Sequence, residues 1–372
     1  MAARAATVAQ AFSKKIMTEV YDRDLFSMIT NTDYEGEINA VGSKLNMLNF
    51  DRISEKTYTG SDLTSDSITE NNSVLTIDQY KSFYWTEKVL DNWLSYIKDP
   101  HSTVVTQAGN ERNKNIDEYI LGFYGDVGAG NRVGTDYTTG TVTVDVTTGA
   151  VTGSGTTFTA AMVGRGFKAD GHTTWYRVKT YSSGTSIVIE DDLDDPSSAY
   201  TGGAISGGST YIIEAATTLA ITTSNLLQYV AALKQKLDQA ESFANNAVPD
   251  NDRYLLVPPE FANLLVRASG IALHVPQVYD ELVKRGAIGQ LLGFNVIVTN
   301  RLTGDNTDGY RVLAIQKGWM TFANKVLTAR MEEDTIGNFG TRFKDLFVYG
   351  VKVNDARRHF AAEGYWTFTG AA

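Results

Sequence analysis

The chain has no cysteine. This single absence excludes thiol nucleophiles, disulfides, zinc knuckles and iron–sulfur ligation, and it suits a protein matured in a reducing cytoplasm. Nowhere do about 18 apolar residues run together, as a membrane-spanning helix would need, and Met1-Ala2-Ala3-Arg4-Ala5-Ala6 lacks the apolar core of a secretory signal. The expectation is a chain without a leader and without a membrane partner. A basic surplus is missing as well: 33 Lys plus Arg face 43 Asp plus Glu, a formal charge of -10. Strong nonspecific attachment to a phosphate backbone is therefore not a property of the whole molecule, and any nucleic-acid contact must be local.

What is present is a long, aromatic-rich chain. With 372 residues, 42% of them hydrophobic, it can bury a sizeable core, and it exceeds what one compact core usually organises. Charged residues are only 20%, while Tyr and Phe number 19 and 16, too much adhesive surface for a disordered polymer. Much of that surface must face cores or other subunits.

Residues 7 to 29 read as an amphipathic helix broken near Tyr21, with Val8, Phe12, Ile16, Val20, Phe26 and Ile29 at helical spacing. From Lys44 to Thr59 and from Ser73 to Trp85 the residues favour extended structure, and Leu75, Ile77, Phe83 and Trp85 share one face of a two-residue period. Thr59-Gly60-Ser61-Asp62 supplies a turn between them. The pair predicts a two-stranded ribbon of about 16 residues at about 3.3 Å each, roughly 50 Å long. A lone ribbon is marginal in water, and its polar tip offers no core, which favours docking onto another subunit.

Asp99-Pro100 predicts a helix start, because Asp accepts from free amides at the N-cap and Pro fits the first turn without wasting a donor. Val105, Ala108, Arg112, Ile116, Tyr119 and Phe123 mark one stripe, and Gly125 supplies the stop. From Gly128 to Ala215 the composition shifts to Gly, Thr, Ser and Val, with strands expected at Thr141 to Val146, Trp175 to Thr180, Ser186 to Ile189 and Thr210 to Ile213. Short, evenly spaced strands predict a separate sandwich or barrel with its own core of Val142, Val144, Phe158, Val178, Ile187 and Ile189.

Helical periodicity resumes after Ser224, taken as an N-cap, through Leu226, Val230, Leu233, Leu237, Ala240 and Ala244. Tyr254 to Val257 reads as a buried strand, Pro259 starts a short helix through Phe261, Leu264 and Leu265, and Val278 to Val283 reads as a helix closing at Gly286. Phe294 to Val298, Tyr310 to Ile315, Val326 to Met331 and Phe343 to Val353 complete an α+β arrangement as strands.

Motifs that could carry chemistry fail on spacing. Gly128-Ala129-Gly130 follows a helix instead of a strand and lacks the third glycine of a phosphate-cradling loop. Gly153-Ser154-Gly155 lacks the glycine spacing of a serine nucleophile and has no assignable His partner, so a β turn is expected. His101, His172, His274 and His359 are scattered, without the spacing that puts two metal ligands on one helix face. The acidic run Glu190, Asp191, Asp192, Asp194 and Asp195 lacks the glycine-containing loop of an EF-hand and reads as a solvated turn. Phe83, Tyr84, Trp85 and Trp93 read as core and subunit interface instead of a base-stacking platform. No catalytic, cofactor-binding or metal-binding residue is expected, and the chain is not expected to be an enzyme.

The segment Asn31-Thr32-Asp33-Tyr34-Glu35-Gly36-Glu37-Ile38, followed by Val41-Gly42 and the ribbon, resembles the major capsid proteins of tailed bacteriophages, which share the Hong Kong 97 fold. Leu255-Leu256-Val257-Pro258-Pro259-Glu260-Phe261, Gly289-Gln290-Leu291-Leu292-Gly293-Phe294-Asn295-Val296, Thr299-Asn300 and Phe347-Val348-Tyr349-Gly350 are similar to stretches common in that family. The resemblance implies an N-terminal arm over 1–43, an extended loop over 44–88 and a peripheral domain with a spine helix over 89–129. It further implies an axial domain over 216–320 and a return to the peripheral domain over 321–372. Residues 130–215 depart from the minimal pattern and resemble an inserted all-β domain. Within it, Val151-Thr152-Gly153-Ser154-Gly155-Thr156-Thr157-Phe158 is similar to repeats in phage surface and fibre modules.

The implied function is a coat protein that self-assembles into the icosahedral head shell around the genome. Hexamers and pentamers of this chain, a portal, a separate scaffolding protein, nonspecifically held double-stranded DNA and decoration proteins are the implied partners. The implied location is the virion, after assembly in the host cytoplasm. Some family members join a loop Lys to a neighbour's Asn, which here would draw on Lys56 with Asn338 or Asn354. The outward face of the β domain is expected to carry the acidic run from Glu190 to Asp195, which would repel DNA if it faced inward. The rival readings are a β-rich surface adhesion or glycan-binding protein, suggested by the Thr/Gly-rich segment, and an enzyme with an unrecognised carboxylate pair.

Overall fold

The computed structural model describes residues 25–33, 44–50, 55–58, 65, 70–88, 100–191, 199–240, 248–268, 289–334 and 340–370. At its centre lies a mixed sheet whose strands run in the order Leu219–Ile221, Ala361–Phe368, Tyr310–Gln316, Arg253–Val257, Phe294–Val298 and Gln290–Leu291, with Arg132–Val133 also pairing with Ala361–Phe368. Its middle strands are apolar run after apolar run because both faces are covered. Leu255, Val257, Val312 and Ala314 point to one face, under Leu226, Val230, Leu233 and Leu237 of the helix Leu226–Gln239 and Phe261, Leu264 and Leu265 of the helix Pro259–Ala268. Leu256, Leu313 and Ile315 point to the other, where they join Ile116, Ile120 and Leu121. The two-residue strand period thus divides one set of strands between two cores.

Those last three residues belong to the long helix Pro100–Leu121, which tightens into a 3-10 turn over Gly122–Asp126. The expected stripe is only half buried. Ile116 is sealed while Val105 is exposed, because the first half of the helix stands beside a groove instead of a core. Asp117 is buried on the sealed side, where it accepts from Arg301 Nη1 at 2.8 Å and from the backbone N–H of Phe26 at 2.9 Å. It thereby fixes the short helix Phe26–Ile29 to the long one. The remainder of the helix expected over 7–29, Ala244, and the helix expected at Val278 to Val283 lie outside the described residues.

The ribbon is present, with Lys44–Phe50 antiparallel to Glu70–Thr76, and it is shorter than expected. The second run leaves it after Thr76: Gln79–Lys81 and Tyr84–Lys88 pair with Gly340–Val353. Nor does its base wait for another subunit. Met47, Leu75 and Ile77 pack on Ala323 and Val348 of the same chain. The crossing is close enough that a Cβ at Gly350 would meet the carbonyl oxygen of Thr76 at 2.5 Å, so glycine is required there.

Ala323 and Val348 lie at the base of a hairpin, Met320–Asp334 against Gly340–Val353, with an irregularity between Val326 and Thr328. About 14 residues at about 3.4 Å each give roughly 48 Å of ribbon. The strands expected at Val326 to Met331 and Phe343 to Val353 fall within this longer pair, whose first strand begins six residues earlier, at Met320.

The Thr/Gly-rich segment forms one eight-stranded antiparallel sheet, in the order Ile205–Ser209, Thr141–Val144, Ala150–Ser154, Ser186–Asp191, Tyr176–Ser183, Gly166–Ala169, Tyr211–Thr217 and Thr135–Tyr137. The sheet closes over a core in which Val142, Val144, Phe158, Val178, Ile187 and Ile189 are all buried, together with Phe167, Tyr211 and Ile213. Ser224 is not the cap of the helix that follows. Asn225 precedes Leu226, and its Oδ1 turns back to accept from the Thr222 N–H at 2.7 Å, leaving the helix without a side-chain cap.

Three tyrosines packed against different parts of the fold hold their protons tightly. Burial, assisted by Asp78, pushes Tyr119 up to about 12; burial, assisted by Tyr176, does the same to Tyr200; and burial with the bond to Glu260 does so to Tyr310. A folded pKa above the unfolded value near 10 favours the fold while the phenol is neutral. The contribution is complete below pH 10 and is lost as pH rises through 12. Alkaline titration followed by tyrosinate absorbance and circular dichroism should therefore show late tyrosines ionising together with unfolding. Ordinary titration of every tyrosine near pH 10 in a still-folded protein would contradict this.

Candidate functional site

A groove of about 460 Å³ runs between the long helix and the hairpin, lined by Phe83, Trp85, Val105, Gly109, Arg112 and Phe343 among others. Its floor is built by one arginine. The Arg112 guanidinium lies 5.0 Å from the Phe83 ring centre and 4.6 Å from that of Phe347, and it pairs with Asp345. Asp345 in turn accepts from the Phe83 N–H at 2.8 Å. This arrangement joins helix, hairpin and the Phe83 strand crossing. Trp85 and Phe343 stack at 5.1 Å to form one wall, and Tyr84 beside them is exposed. Gly109 leaves its part of the opposite wall bare, with nothing within 4 Å of where a Cβ would stand. Aromatic walls over an arginine floor are the composition of a protein-binding surface.

A second cluster lies where the eight-stranded sheet meets the central one, and it is ionic. Glu363, fully buried in the strand Ala361–Phe368, takes Arg132 Nε at 3.0 Å and Arg165 Nη1 at 2.8 Å on one oxygen and Arg311 Nη1 at 3.1 Å on the other. Arg132 also donates to Glu214 at 2.7 Å and to the carbonyls of Gly125 and Val127. Glu214 accepts from the backbone amides of Gly130 and Gly166 at 2.7 and 3.1 Å. Burial pushes the Glu214 carboxyl upward, against the pull of Arg132 and the Gly130 amide. Arg311 is sandwiched, 3.4 Å from the Tyr365 ring centre and 5.1 Å from that of Tyr124. Arg165 and Glu214 come from the eight-stranded sheet region and Glu363 and Arg311 from the central sheet, so the cluster fastens one to the other.

With fold and surfaces in view, comparison with known proteins decides the family. A family model described as phage capsid protein matches residues 173–361. The chain belongs to that family. No curated protein sequence matches it. The fold of this phage capsid protein is similar to a structure from Mycobacterium phage Che8, 16% identical with a TM-score of 0.56, over 98% of this chain and 97% of that one. It is also similar to the capsid structure of the cyanophage P-SCSP1u, 14% identical with a TM-score of 0.57, over 98% and 94%. The capsid asymmetric unit of cyanophage Pam1 is 12% identical with a TM-score of 0.56, over 100% of each chain. At such identities the likeness is one of fold. The resemblance read from the sequence is borne out, and the chain is a structural protein of the bacteriophage capsid.

The residues weighed for chemistry in this capsid protein go elsewhere. Gly128 packs on the His359 ring, which a Cβ would strike at 2.3 Å, and Gly130 packs on Trp175. Gly153 and Ser154 end a strand, and Gly155 takes the positive φ of a turn. His172 is half-buried, the side chain of His101 and all of His274 lie outside the described residues, and no cluster of three potential metal ligands occurs among the described residues. The acidic run is not uniformly solvated: Glu190 is buried and pairs with Lys179 at 2.9 Å, and Asp191 accepts from the Thr201 N–H at 3.1 Å. Residues 192–198 lie outside the described ones, so only Glu190 and Asp191 of the acidic run are placed. Lys56 is exposed, Asn354 is buried at the end of the hairpin, and Asn338 and Trp93 lie outside the described residues.

Both clusters escaped the sequence reading in different degrees. Phe83 and Trp85 were visible as an aromatic stripe, while Arg112 passed as one member of a helical face. Arg132, Arg165, Glu214, Arg311 and Glu363 are scattered along the chain, but Glu214, Arg311 and Glu363 sit in long strands made mostly of buried residues. Glu214 lies in Tyr211–Thr217, Arg311 in Tyr310–Gln316 and Glu363 in Ala361–Phe368. A charge inside an apolar strand needs a partner, and three such charges were a signal for one shared site.

Proposed function

We propose that this capsid protein is the major shell subunit of a tailed bacteriophage, self-assembling through hexamers and pentamers into an icosahedral head around double-stranded DNA. The observation that carries the reading is the fold likeness to capsid structures along essentially the whole length of both chains. In this reading the protein is structural and not enzymatic, follows the Hong Kong 97 plan, assembles in the host cytoplasm with a portal and a separate scaffolding protein, and ends in the virion. The arm is 1–43, the extended loop 44–88, the peripheral domain with its spine helix 89–129, the inserted β domain 130–215, the axial domain 216–320 and the peripheral return 321–372. DNA is held nonspecifically by local basic groups, and decoration proteins have the β domain as their natural platform.

The groove beside Gly109 supports an assembly role, because it is apolar, aromatic-walled and open on the subunit. Gly109→Leu tests it. Leucine should raise the local helix propensity by roughly 1 kcal/mol relative to glycine, so the subunit should fold at least as well. The added side chain should fill the groove and leave capsomers or free subunits where the wild type sediments as shells. Shells from the variant at wild-type yield would remove the groove from the assembly contacts.

A further inference from the structure

The ionic junction carries more positive charge than its own carboxylates neutralise. Among the described residues, Arg132, Arg165 and Arg311 face Glu214 and Glu363, three cations against two anions, a formal surplus of +1. The neighbouring Asp126 does not correct this, since Arg177 and Arg358 both pair with it, at 3.4 and 3.6 Å. A buried surplus of this kind is costly unless an anion joins it, and it stands in a chain whose overall charge is -10.

A second observation is independent of the charge count. Arg165 is 4% exposed, and it spends one N–H on Glu363; its remaining N–H groups have no acceptor among the described residues. Arg311 likewise gives one N–H to Glu363 and is otherwise held by ring faces, which accept charge but leave the edge of the guanidinium open. Both side chains line a polar cavity of about 190 Å³, together with Arg132, Tyr124, Ala161 and Gly164. Water would satisfy the open donors and leave the charge; an oxyanion satisfies both.

We propose that this cavity is a binding site for a tetrahedral oxyanion of the phosphate class, held by the free guanidinium edges of Arg165 and Arg311. Planar guanidinium forks match phosphate oxygens in pairs, which a point-charge ammonium does not. The cavity holds several times the roughly 30 Å³ share of one water, room enough for such an ion. Because the site lies between the eight-stranded sheet and the central sheet, its occupant would fasten the two together. This inference does not depend on the shell reading.

The test uses the full chain and inorganic phosphate, with chloride replacing phosphate at constant ionic strength. Calorimetry should show one saturable site per chain, sulfate should compete for it, and the melting midpoint should climb with phosphate concentration, as ligand linkage requires. Arg165→Lys, which keeps the charge and loses the fork, should weaken binding at least about tenfold. Ala161→Glu sets a carboxylate at the cavity rim without touching any ion pair, so it should abolish phosphate binding while the protein stays folded, and it serves if Arg165→Lys does not fold. An oligodeoxynucleotide without terminal phosphate separates the sources: displacement of phosphate makes the ligand a nucleic-acid phosphodiester, and no displacement makes it the free ion. Absence of saturable phosphate binding to the wild type, or binding unchanged in Ala161→Glu, would overturn the proposal.

Discussion

Glu363→Gln should lower the melting midpoint of this capsid protein by on the order of 10 °C, despite a nearly unchanged side-chain shape. Glu363 is fully buried and is shared by three arginines. Glutamine keeps one acceptor oxygen and turns an N–H toward guanidinium groups that have no use for a donor. Removing one partner of a buried ion pair costs about 3–5 kcal/mol, because the partner's charge stays buried; here three partners are affected. The effect should be visible by calorimetry, and it should exceed that of Glu332→Gln, whose pairing with Lys344 at 2.8 Å is exposed on the hairpin and belongs to a class worth at most about 1 kcal/mol. Equal, small shifts in the two variants would mean that the junction adds nothing to the stability of the fold.

Cutting the junction should be far gentler than neutralising it. Residues 134–218, expressed alone, are expected to fold as a soluble β unit with its own cooperative melting transition. Every strand of the eight-stranded sheet lies between Thr135 and Thr217, and so does its buried core, from Val142 to Ala216. The excision separates Glu214 from Arg132 and Arg165 from Glu363, yet it also uncovers Glu214 and Arg165 to water, so neither is left as a buried, unpaired charge. The same groups cost much when orphaned inside the intact chain and little when hydrated. Far-ultraviolet circular dichroism and dispersed amide resonances would report a folded fragment. A fragment that is unfolded or aggregated would show that the sheet depends on the central one, and the reading of 130–215 as an inserted domain would fall with it.

How much of this was legible in the sequence follows from the range of the forces involved. The helix Leu226–Gln239 and the strands Tyr254 to Val257 and Phe294 to Val298 were readable because each repeats a burial period within a few residues. The private core of the Thr/Gly-rich segment was readable for the same reason. The long hairpin was seen only in part: the start of its first strand, Met320 to Ala323, is buried along its whole length and so shows no two-residue alternation. Ala361–Phe368 was missed altogether: Ala-Ala-Glu-Gly-Tyr-Trp-Thr-Phe has no alternation because both of its faces are covered, and the glutamate at its centre resembles a loop residue until its three arginines are known. The ribbon was recognised, but the support of its base was not, because nothing local to Met47, Leu75 or Ile77 says that Ala323 and Val348 will come to lie beneath them. The candidate surfaces were the least legible part. Each joins residues brought together only by the tertiary fold, as Phe83, Arg112 and Asp345 are.

The central claim is that copies of this chain close into a shell, and electron microscopy of the purified full-length protein, expressed with and without a coexpressed scaffolding protein, tests it most directly. The account predicts closed icosahedral particles or, short of those, six-fold and five-fold capsomer rings. A product that stays monomeric under both conditions, or that grows only into irregular aggregates, would contradict it.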